Sequence, residues 1–185
     1  MALPEASREE WIRSNNLCAA VYMFSQGIPF IYAGEELLRS KVNEEGIYVE
    51  NSYNAPDSVN RISWSALEQE ECQKVFAYYK GLISLRKKYG VFRYMTAEEV
   101  KEHVQIVKPQ EENVIAMHLC DTDKKEELFV IFNPNRNEAK VSIPEGRWRI
   151  LVKGEQADIK IPEIVLSEVV SIEPISTMVL EKCII

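Results

Sequence analysis

The adjacent carboxylates Glu35 and Glu36 are the first side chains whose types could do chemistry, because a pair of carboxylates can act as general acid and general base. They directly follow an apolar run, and neighbouring side chains on a strand point to opposite faces. Two groups on opposite faces are poorly placed to act on one bond. We therefore predict that Glu35 and Glu36 are structural residues, or polar residues at the rim of a site, held by hydrogen bonds.

The histidines and cysteines form no catalytic or metal-binding pattern. His103 and His118 fall in predicted strands, without a serine, cysteine or carboxylate partner visible in the sequence. The four cysteines are far apart and lack the spacing of metal ligands. We expect buried or neutral thiols, and neither a metal nor a cofactor, with these thiols at Cys18, Cys72, Cys120 and Cys183.

The tryptophans are predicted to pack in cores rather than to form a platform for a ligand. A buried indole removes a large apolar area from water. Trp11 lies on the apolar face of a predicted helix, and Trp64 ends a long loop. Trp148 alternates with two arginines on a predicted strand and is expected to point inward.

Charge and hydropathy disfavour two broad classes of partner. The 185 residues carry 22 basic and 29 acidic side chains, a formal charge of −7, so nucleic acid and anionic membranes are not expected partners. No stretch approaches the roughly 20 apolar residues of a membrane span, and Met1 is not followed by a signal-peptide pattern. The compartment stays open, with the cytoplasm slightly favoured over secretion or the cell surface.

The first half of the chain has the pattern of an α/β fragment. Apolar positions recurring at threes and fours predict helices over Glu5–Gln26 and Leu67–Tyr89. Between them, the apolar run Ile28–Tyr32 predicts a parallel strand buried on both faces. The long polar stretch Ala33–Trp64 then predicts a functional loop. A lone parallel strand lacks hydrogen-bonding neighbours, so those neighbours must lie elsewhere.

The second half, from about residue 100, predicts an antiparallel β-sandwich. Short alternating segments are separated by turn residues such as Asn, Asp, Pro and Gly. Seven or more short strands at this spacing are typical of a sandwich. The predicted strands are Val104–Lys108, Asn113–Leu119, Glu127–Asn133, Ala139–Ile143, Arg147–Lys153, Ala157–Ile161 and Ile175–Glu181.

Several segments of the sequence resemble those of a known family. The segment Gly27–Glu36, read as Gly-Ile-Pro-Phe-Ile-Tyr-Ala-Gly-Glu-Glu, resembles the eighth barrel strand of the α-amylase superfamily, glycoside hydrolase family 13. Phe24–Gln26, Leu38–Lys41 and the segment Asn51–Asn60, read as Asn-Ser-Tyr-Asn-Ala-Pro-Asp-Ser-Val-Asn, narrow the resemblance to type I pullulanases. Leu82–Lys88 looks like the eighth barrel helix of the same family.

The resemblance implies an α+β organisation in two parts. Residues 1–95 would be the last helix, strand, loop and helix of a (β/α)8 barrel. Residues 96–185 would be the antiparallel β-sandwich that forms the C-terminal domain of the family. The rest of the barrel would lie upstream in the same protein.

The resemblance also implies an activity that this chain would not perform by itself. Family members cleave α-1,6-glucosidic bonds of starch, glycogen or pullulan with retention, using carboxylates after barrel strands four, five and seven. Those strands would all precede the first helix here. We therefore expect no catalytic residue in the chain and no hydrolysis by the chain alone.

A substrate-binding pair, Asp57 and Arg61, is implied by the resemblance. In the family, this Asp-x-x-x-Arg pair binds a glucose unit on the non-reducing side of the cleavage point. A carboxylate can accept hydrogen bonds from two neighbouring hydroxyls while a guanidinium donates. The alternative is a loop ion pair or a turn cap after Pro56. Tyr53 and Asn54 are weaker candidates, for stacking on a sugar ring and for binding its hydroxyls.

Other readings stay open. The chain could be a non-catalytic unit whose β-sandwich binds glucan or only supports the barrel. It could also be the corresponding part of an isoamylase, branching enzyme or amylase. The expected partners are an α-glucan, the missing N-terminal barrel of the same protein and, because the strand at Ile28–Tyr32 lacks neighbours, further copies of the chain.

Overall fold

The computed structural model describes residues 5–160 and 163–183. It contains helices packed on one face of an antiparallel sheet, with a small second sheet on the other face. The helices are α1 (Arg8–Phe24), α2 (Asp57–Asn60), α3 (Glu70–Lys88) and α4 (Ala97–His103), with 3-10 turns at Glu35–Leu37, Trp64–Glu68 and Gly90–Phe92. None of the helices within these ranges has the length and apolar character needed to cross a membrane.

The two long helices form where the apolar periodicity predicts them. Ser7 caps α1: its hydroxyl accepts a hydrogen bond from the Glu10 amide, and the Glu10 carboxylate accepts one from the Ser7 amide. At the other end of α1, the buried Arg86 of α3 donates hydrogen bonds to three carbonyls, those of Met23, Ser25 and Gly27, at 2.6, 2.9 and 2.6 Å. Arg86 therefore satisfies backbone groups that a helix end leaves free, and it fixes where the chain leaves α1.

The predicted strand at Ile28–Tyr32 is wrong for this chain. These residues form no strand, and Ile28 and Phe30 are 98% and 84% exposed. A strand obtains its hydrogen bonds from neighbouring strands, and none lies beside this segment in the described part of the chain. The barrel portion of the predicted fold is accordingly not confirmed.

In residues 5–160 and 163–183, nine strands form two antiparallel sheets. The larger sheet has the order β1-β2-β3-β9-β5-β6, with β7 also paired to β5, and the smaller sheet pairs β4 with β8. The strands are β1 (Val104–Val107), β2 (Ile115–Asp121), β3 (Glu126–Asn133), β4 (Ala139–Ser142), β5 (Trp148–Gly154), β6 (Gln156–Ala157), β7 (Ile164–Val165), β8 (Val169–Ile172) and β9 (Ser176–Lys182).

Alternating side chains of the central strands enter two separate hydrophobic clusters. On one face, Leu128 and Val130 of β3 join Phe24 of α1 and Leu82 of α3. On the other face, Phe129 and Ile131 join residues of β4 and β8. The second cluster lies between two sheets, as in the predicted β-sandwich, while the first joins the helices to the β-sheet.

Several local predictions need correction. The predicted strand Ala157–Ile161 is reduced to β6, which ends at Ala157, because Asp158 has a left-handed backbone with φ of 55°; Ile161 lies outside the described residues. His103 ends a helix instead of lying on a strand. Trp64 is 65% exposed and does not pack in a core, whereas Trp148 is fully buried as predicted.

Candidate functional site

The candidate site is the long loop between α1 and α3, which begins in a tight turn. Gly34 has φ of 98°, a left-handed conformation that favours glycine. The amide of Arg39 donates to the Gly34 carbonyl at 3.0 Å, closing the turn over the short 3-10 segment Glu35–Leu37. This turn directs the following chain back toward α2.

The two adjacent carboxylates are occupied in holding that turn. Glu35 Oε1 accepts hydrogen bonds from the Tyr22 hydroxyl at 2.9 Å and from the Tyr32 amide at 3.1 Å. Glu36 Oε2 accepts one from the Gly34 amide at 3.0 Å. Both residues lie on a 3-10 turn rather than a strand, so the geometric reason given from the sequence is wrong. The hydrogen bonds agree with a structural role.

Asp57 and Arg61 lie at the two ends of α2, with exposed side chains. The Arg61 amide donates to the Asp57 carbonyl at 2.8 Å, and Val59 between them is buried and anchors the helix. Within residues 5–160 and 163–183, neither side chain makes a hydrogen bond or ion pair. Among the described residues, Asp57 therefore forms neither the loop ion pair nor the turn cap that were the alternatives to a binding role.

Tyr53 and Asn54 lie at the tip of a turn that the loop makes before α2. The Ala55 amide donates to the Ser52 carbonyl at 3.0 Å, which closes this turn. The side chain of Tyr53 is 89% exposed, and Asn54 is exposed beside it. The structure thus brings the four predicted site residues onto one short, solvent-facing stretch of the chain.

A polar groove of about 290 Å³ runs beside this stretch. Its lining joins the α2 region to the start of α3 and includes Arg39, Ser58, Arg61 and Gln69. A groove with guanidinium and hydroxyl groups can donate hydrogen bonds to a polyhydroxylated ligand. Arg39 and other residues of the groove were not singled out from the sequence as site residues.

Basic side chains also gather around Tyr32 at the beginning of the loop. The guanidinium carbon of Arg39 and the Nζ of Lys41 lie 5.4 and 5.5 Å from the Tyr32 ring centroid, within the range of cation–π contact. Lys41 also donates to the Ser52 hydroxyl at 2.6 Å. The nearby ammonium of Lys41 lowers the pKa of the Tyr32 hydroxyl below its ordinary value.

The histidines have carboxylate neighbours that the sequence did not reveal. His118 Nε2 lies 3.1 Å from Glu127 Oε1, because pairing of β2 with β3 brings these residues near each other. His103 stacks on Tyr94 at 5.2 Å and lies 3.9 Å from Asp121 Oδ2. Both groups belong to the β-sheet region rather than to the loop.

The four cysteines are free thiols, and Cys120 and Cys183 are half-buried. Cys72 is buried, and burial raises its pKa, whereas Cys18 is exposed on α1. In the described parts of the chain, no three His, Cys, Asp or Glu residues are grouped as metal ligands.

The sequence and the structure of the chain are similar to those of known proteins. Residues 100–156 match the family described as "Pullulanase, all-beta domain". A pullulanase of Bacillus subtilis is 32% identical over 146 residues, covering 77% of this chain and 19% of its own length. The structure of a pullulanase from Bacillus acidopullulyticus superposes with a TM-score of 0.87 at 32% identity, covering 97% of this chain and 21% of that one.

A further structure is a pullulanase from Anoxybacillus sp. LM18-11 complexed with maltotetraose. It has a TM-score of 0.82 at 28% identity, and the match covers 99% of this chain and 25% of that one. The chain described here thus spans about a fifth to a quarter of the length of the proteins that it matches.

These similarities define the class of protein first: over most of its length, the chain is similar to part of the pullulanases. Within that class, it corresponds to a C-terminal portion of a pullulanase, as the two motifs at Gly27–Glu36 and Asn51–Asn60 indicated.

Proposed function

We propose that the chain contributes substrate-binding residues and the C-terminal β-domain to a hydrolase that cleaves α-1,6-glucosidic bonds of a branched glucan with retention. Asp57 and Arg61 bind hydroxyls of a glucose unit, Tyr53 stacks on a sugar ring, and Asn54 binds further hydroxyls. The acid and the nucleophile come from a region outside residues 1–185. The chain alone is inactive.

This proposal rests on one observation: among the described residues, the four candidate side chains make no hydrogen bond or ion pair, although the loop that carries them is hydrogen-bonded. These side chains are Tyr53, Asn54, Asp57 and Arg61. Asp57 and Arg61 are charged, exposed and unpaired among the described residues, although an ion pair between them would be easy to form four positions apart. Groups left free on an ordered surface are available to a ligand. The maltotetraose complex of a structurally similar pullulanase supports a glucan as that ligand.

The proposed organisation assigns residues 1–95 to the end of a (β/α)8 barrel and residues 96–185 to the β-sandwich. The exposed apolar segment Ile28–Tyr32 supports the first assignment, because it has the composition of a buried strand but no neighbouring strand among the residues that the structure describes. In the full-length protein, this segment completes the barrel, and the loop after it reaches the substrate-binding face.

The test separates binding from hydrolysis. In the full-length protein, Asp57→Asn is expected to weaken maltotetraose binding by about tenfold or more, since a hydrogen bond to a charged group contributes roughly 1.5–3 kcal/mol. Isothermal titration calorimetry measures the affinity, and Asp123→Asn, at an exposed aspartate in the β2–β3 turn, is the matched control.

Hydrolysis is tested with the 185-residue chain and the full-length protein side by side. Reducing-sugar release from pullulan is expected only from the full-length protein. Turnover by the chain alone would contradict the absence of catalytic residues. Unchanged affinity in the Asp57→Asn protein would contradict the binding role, and glucan binding without any hydrolysis by the full-length protein would favour a non-catalytic binding module.

A further inference from the structure

The four proposed glucan contacts have no side-chain hydrogen bonds of their own to hold them in place. Within residues 5–160 and 163–183, Tyr53, Asn54, Asp57 and Arg61 form no side-chain hydrogen bond or ion pair. Their relative positions therefore depend on the backbone of the loop. Long loops are mobile unless other groups restrain them, and ordering a mobile loop weakens ligand binding.

One restraint is the guanidinium of Arg39, which joins the beginning of the loop to its end. Its Nη1 donates to the Ala33 carbonyl at 3.1 Å, and its Nη2 donates to the carbonyl of Asn60, the last residue of α2. The side chain crosses directly over Gly34, where an added Cβ would lie 2.6 Å from Arg39 Cδ. Glycine at position 34 therefore permits both the backbone turn and the passage of Arg39.

The second restraint is the side-chain amide of Asn60. Its Nδ2 donates to the Ser52 carbonyl at 2.7 Å and to the Ala55 carbonyl at 3.0 Å. Ser52 and Ala55 are the two ends of the turn that carries Tyr53 and Asn54. A single NH2 group thus fixes the tip of the loop against α2, which carries Asp57 and precedes Arg61.

The two restraints are continuous, because Arg39 binds the backbone of the same residue whose side chain binds the tip. We propose that Arg39 and Asn60 are positioning residues that pre-organise the glucan-binding loop, holding Tyr53 and Asn54 in register with Asp57 and Arg61. This inference rests on the proposed function. The ligand that benefits is an α-glucan segment contacting both the tip and α2.

The chemistry of both residues makes the proposal specific. Asn60→Asp keeps the size of the side chain but replaces the donating NH2 by a carboxylate facing two carbonyl oxygens. Arg39→Lys keeps the charge but loses the planar fork that reaches two acceptors in different directions. The controls are Asn137→Asp and Arg147→Lys, whose exposed side chains form no hydrogen bond or ion pair among the described residues.

The first measurement is amide hydrogen exchange in the 185-residue chain, which does not depend on glucan binding. The Ala55 amide donates to Ser52, and the Arg61 amide donates to Asp57. Asn60→Asp is expected to speed exchange at both amides by about tenfold, because loss of hydrogen bonds to the loop favours its local opening. Arg39→Lys is expected to act chiefly on Arg61, and the two controls to leave both rates unchanged.

The second measurement is maltotetraose affinity and pullulan kinetics in the full-length protein. Asn60→Asp is expected to weaken binding and raise KM by about tenfold with a smaller change in kcat, since a mobile loop must be ordered on binding. Combined with Asp57→Asn, its effect should be less than additive, because both substitutions impair the same contact. A residue needed only for folding would not give this pattern.

The outcomes distinguish this inference from the proposed function. If Asp57→Asn weakens binding while Asn60→Asp and Arg39→Lys leave affinity at the unsubstituted level, the positioning role is overturned. Unchanged exchange at Ala55 and Arg61 in the Asn60→Asp chain would overturn it as well. If Asp57→Asn has no effect on affinity, the proposed glucan site fails, whatever the exchange rates show.

Discussion

At the scale of single residues, the buried carboxylate of Asp121 is surrounded by hydrogen-bond donors. It is 2% exposed and accepts hydrogen bonds from the Tyr94 hydroxyl at 2.9 Å and from the Lys124 amide at 2.9 Å, besides the Lys124 ammonium. Burial raises its pKa, but the donors around the carboxylate outweigh burial and hold the pKa well below the usual range. Asp121 thereby fastens the segment after α3 to the end of β2.

We expect Asp121→Asn to reduce the free energy of unfolding by about 2 kcal/mol near neutral pH, because hydrogen bonds to a charged group are lost. A lowered folded-state pKa means that the stabilisation is present above the unfolded pKa of about 3.9 and is lost as pH falls toward the folded value. The difference between the two proteins should therefore shrink below about pH 4. His103 lies 3.9 Å from the Asp121 carboxylate, and it is present in both the unsubstituted and the Asp121→Asn protein.

Urea unfolding between about pH 7 and pH 3 measures this difference. Asp123→Asn is the control, since Asp123 lies two residues beyond Asp121, in the β2–β3 turn, and is exposed. A difference that stays constant across this range would show that the charge of Asp121 is not the source of the stabilisation.

At the scale of elements, the periodicity of apolar residues predicted the helices and strands that bury one face in a hydrophobic core. Helices α1 and α3 and the longer strands were found close to their predicted bounds. Helix α4 was missed, although Thr96 and Glu99 form a capping box readable in the sequence, because it lies at the join where strands were expected to begin. The two-residue strand β7 and the short β8 were also missed.

The errors in the predicted structure share one physical cause: they depend on contacts between residues far apart in the sequence. Ile28–Tyr32 has the composition of a strand, but composition does not supply the neighbouring backbone that a strand needs. The restraints made by Arg39 and Asn60 were not predicted either, because they bind backbone carbonyls, and carbonyls have no residue-specific pattern in a sequence. The family resemblance implies Asp57 and Arg61 as glucan contacts, whereas Tyr53 and Asn54 are candidates on the chemistry of their side chains, and the glucan-binding role of all four stays a prediction.

The contact of α3 with β6 gives a prediction at this scale. Gly81 lies in α3, and a Cβ built there would be 2.6 Å from the Ala157 carbonyl oxygen and 2.8 Å from the Ala157 Cβ. Alanine favours a helix over glycine by up to about 1 kcal/mol, but overpacking costs about 1–3 kcal/mol. We expect Gly81→Ala to destabilise the protein, as measured by the midpoint of urea unfolding.

Adding Ala157→Gly provides a stringent control. It removes the Ala157 Cβ but leaves the closer carbonyl oxygen in place, so it should not restore stability to the Gly81→Ala protein. Full restoration would mean that the side chain, not the backbone, limits how closely α3 approaches the sheet.

At the scale of the whole molecule, an apolar surface is left without a partner in the described chain. Ile28 and Phe30 are almost fully exposed, and an apolar groove of about 360 Å³ lined by Ile31, Phe76 and Ile83 lies next to them. Contiguous exposed apolar surface favours association, because burial contributes roughly 25 cal/mol per Å².

We expect the 185-residue chain to self-associate reversibly as its concentration rises, and the double substitution Ile28→Ser and Phe30→Ser to reduce that association. Sedimentation velocity over a concentration series measures both. Met95→Ser combined with Leu166→Ser is the control, since those side chains are 90% and 75% exposed elsewhere on the molecule. An unsubstituted chain that stays monomeric throughout would contradict the expectation.

The larger β-sheet separates two hydrophobic clusters, and this limits where the chain can be cut when the β-domain is recombined with another protein. Leu128 and Val130 belong to one cluster, while Phe129 and Ile131 belong to the other. Strand β3 therefore has apolar side chains on both faces, and loss of either cover exposes it to water. Dividing the chain near residue 95 would remove α1 and α3 from one face of the sheet and expose the apolar side chains of that face to water. Recombination that moves the β-domain intact must therefore carry α1 and α3 with it, or provide substitutes of the same shape.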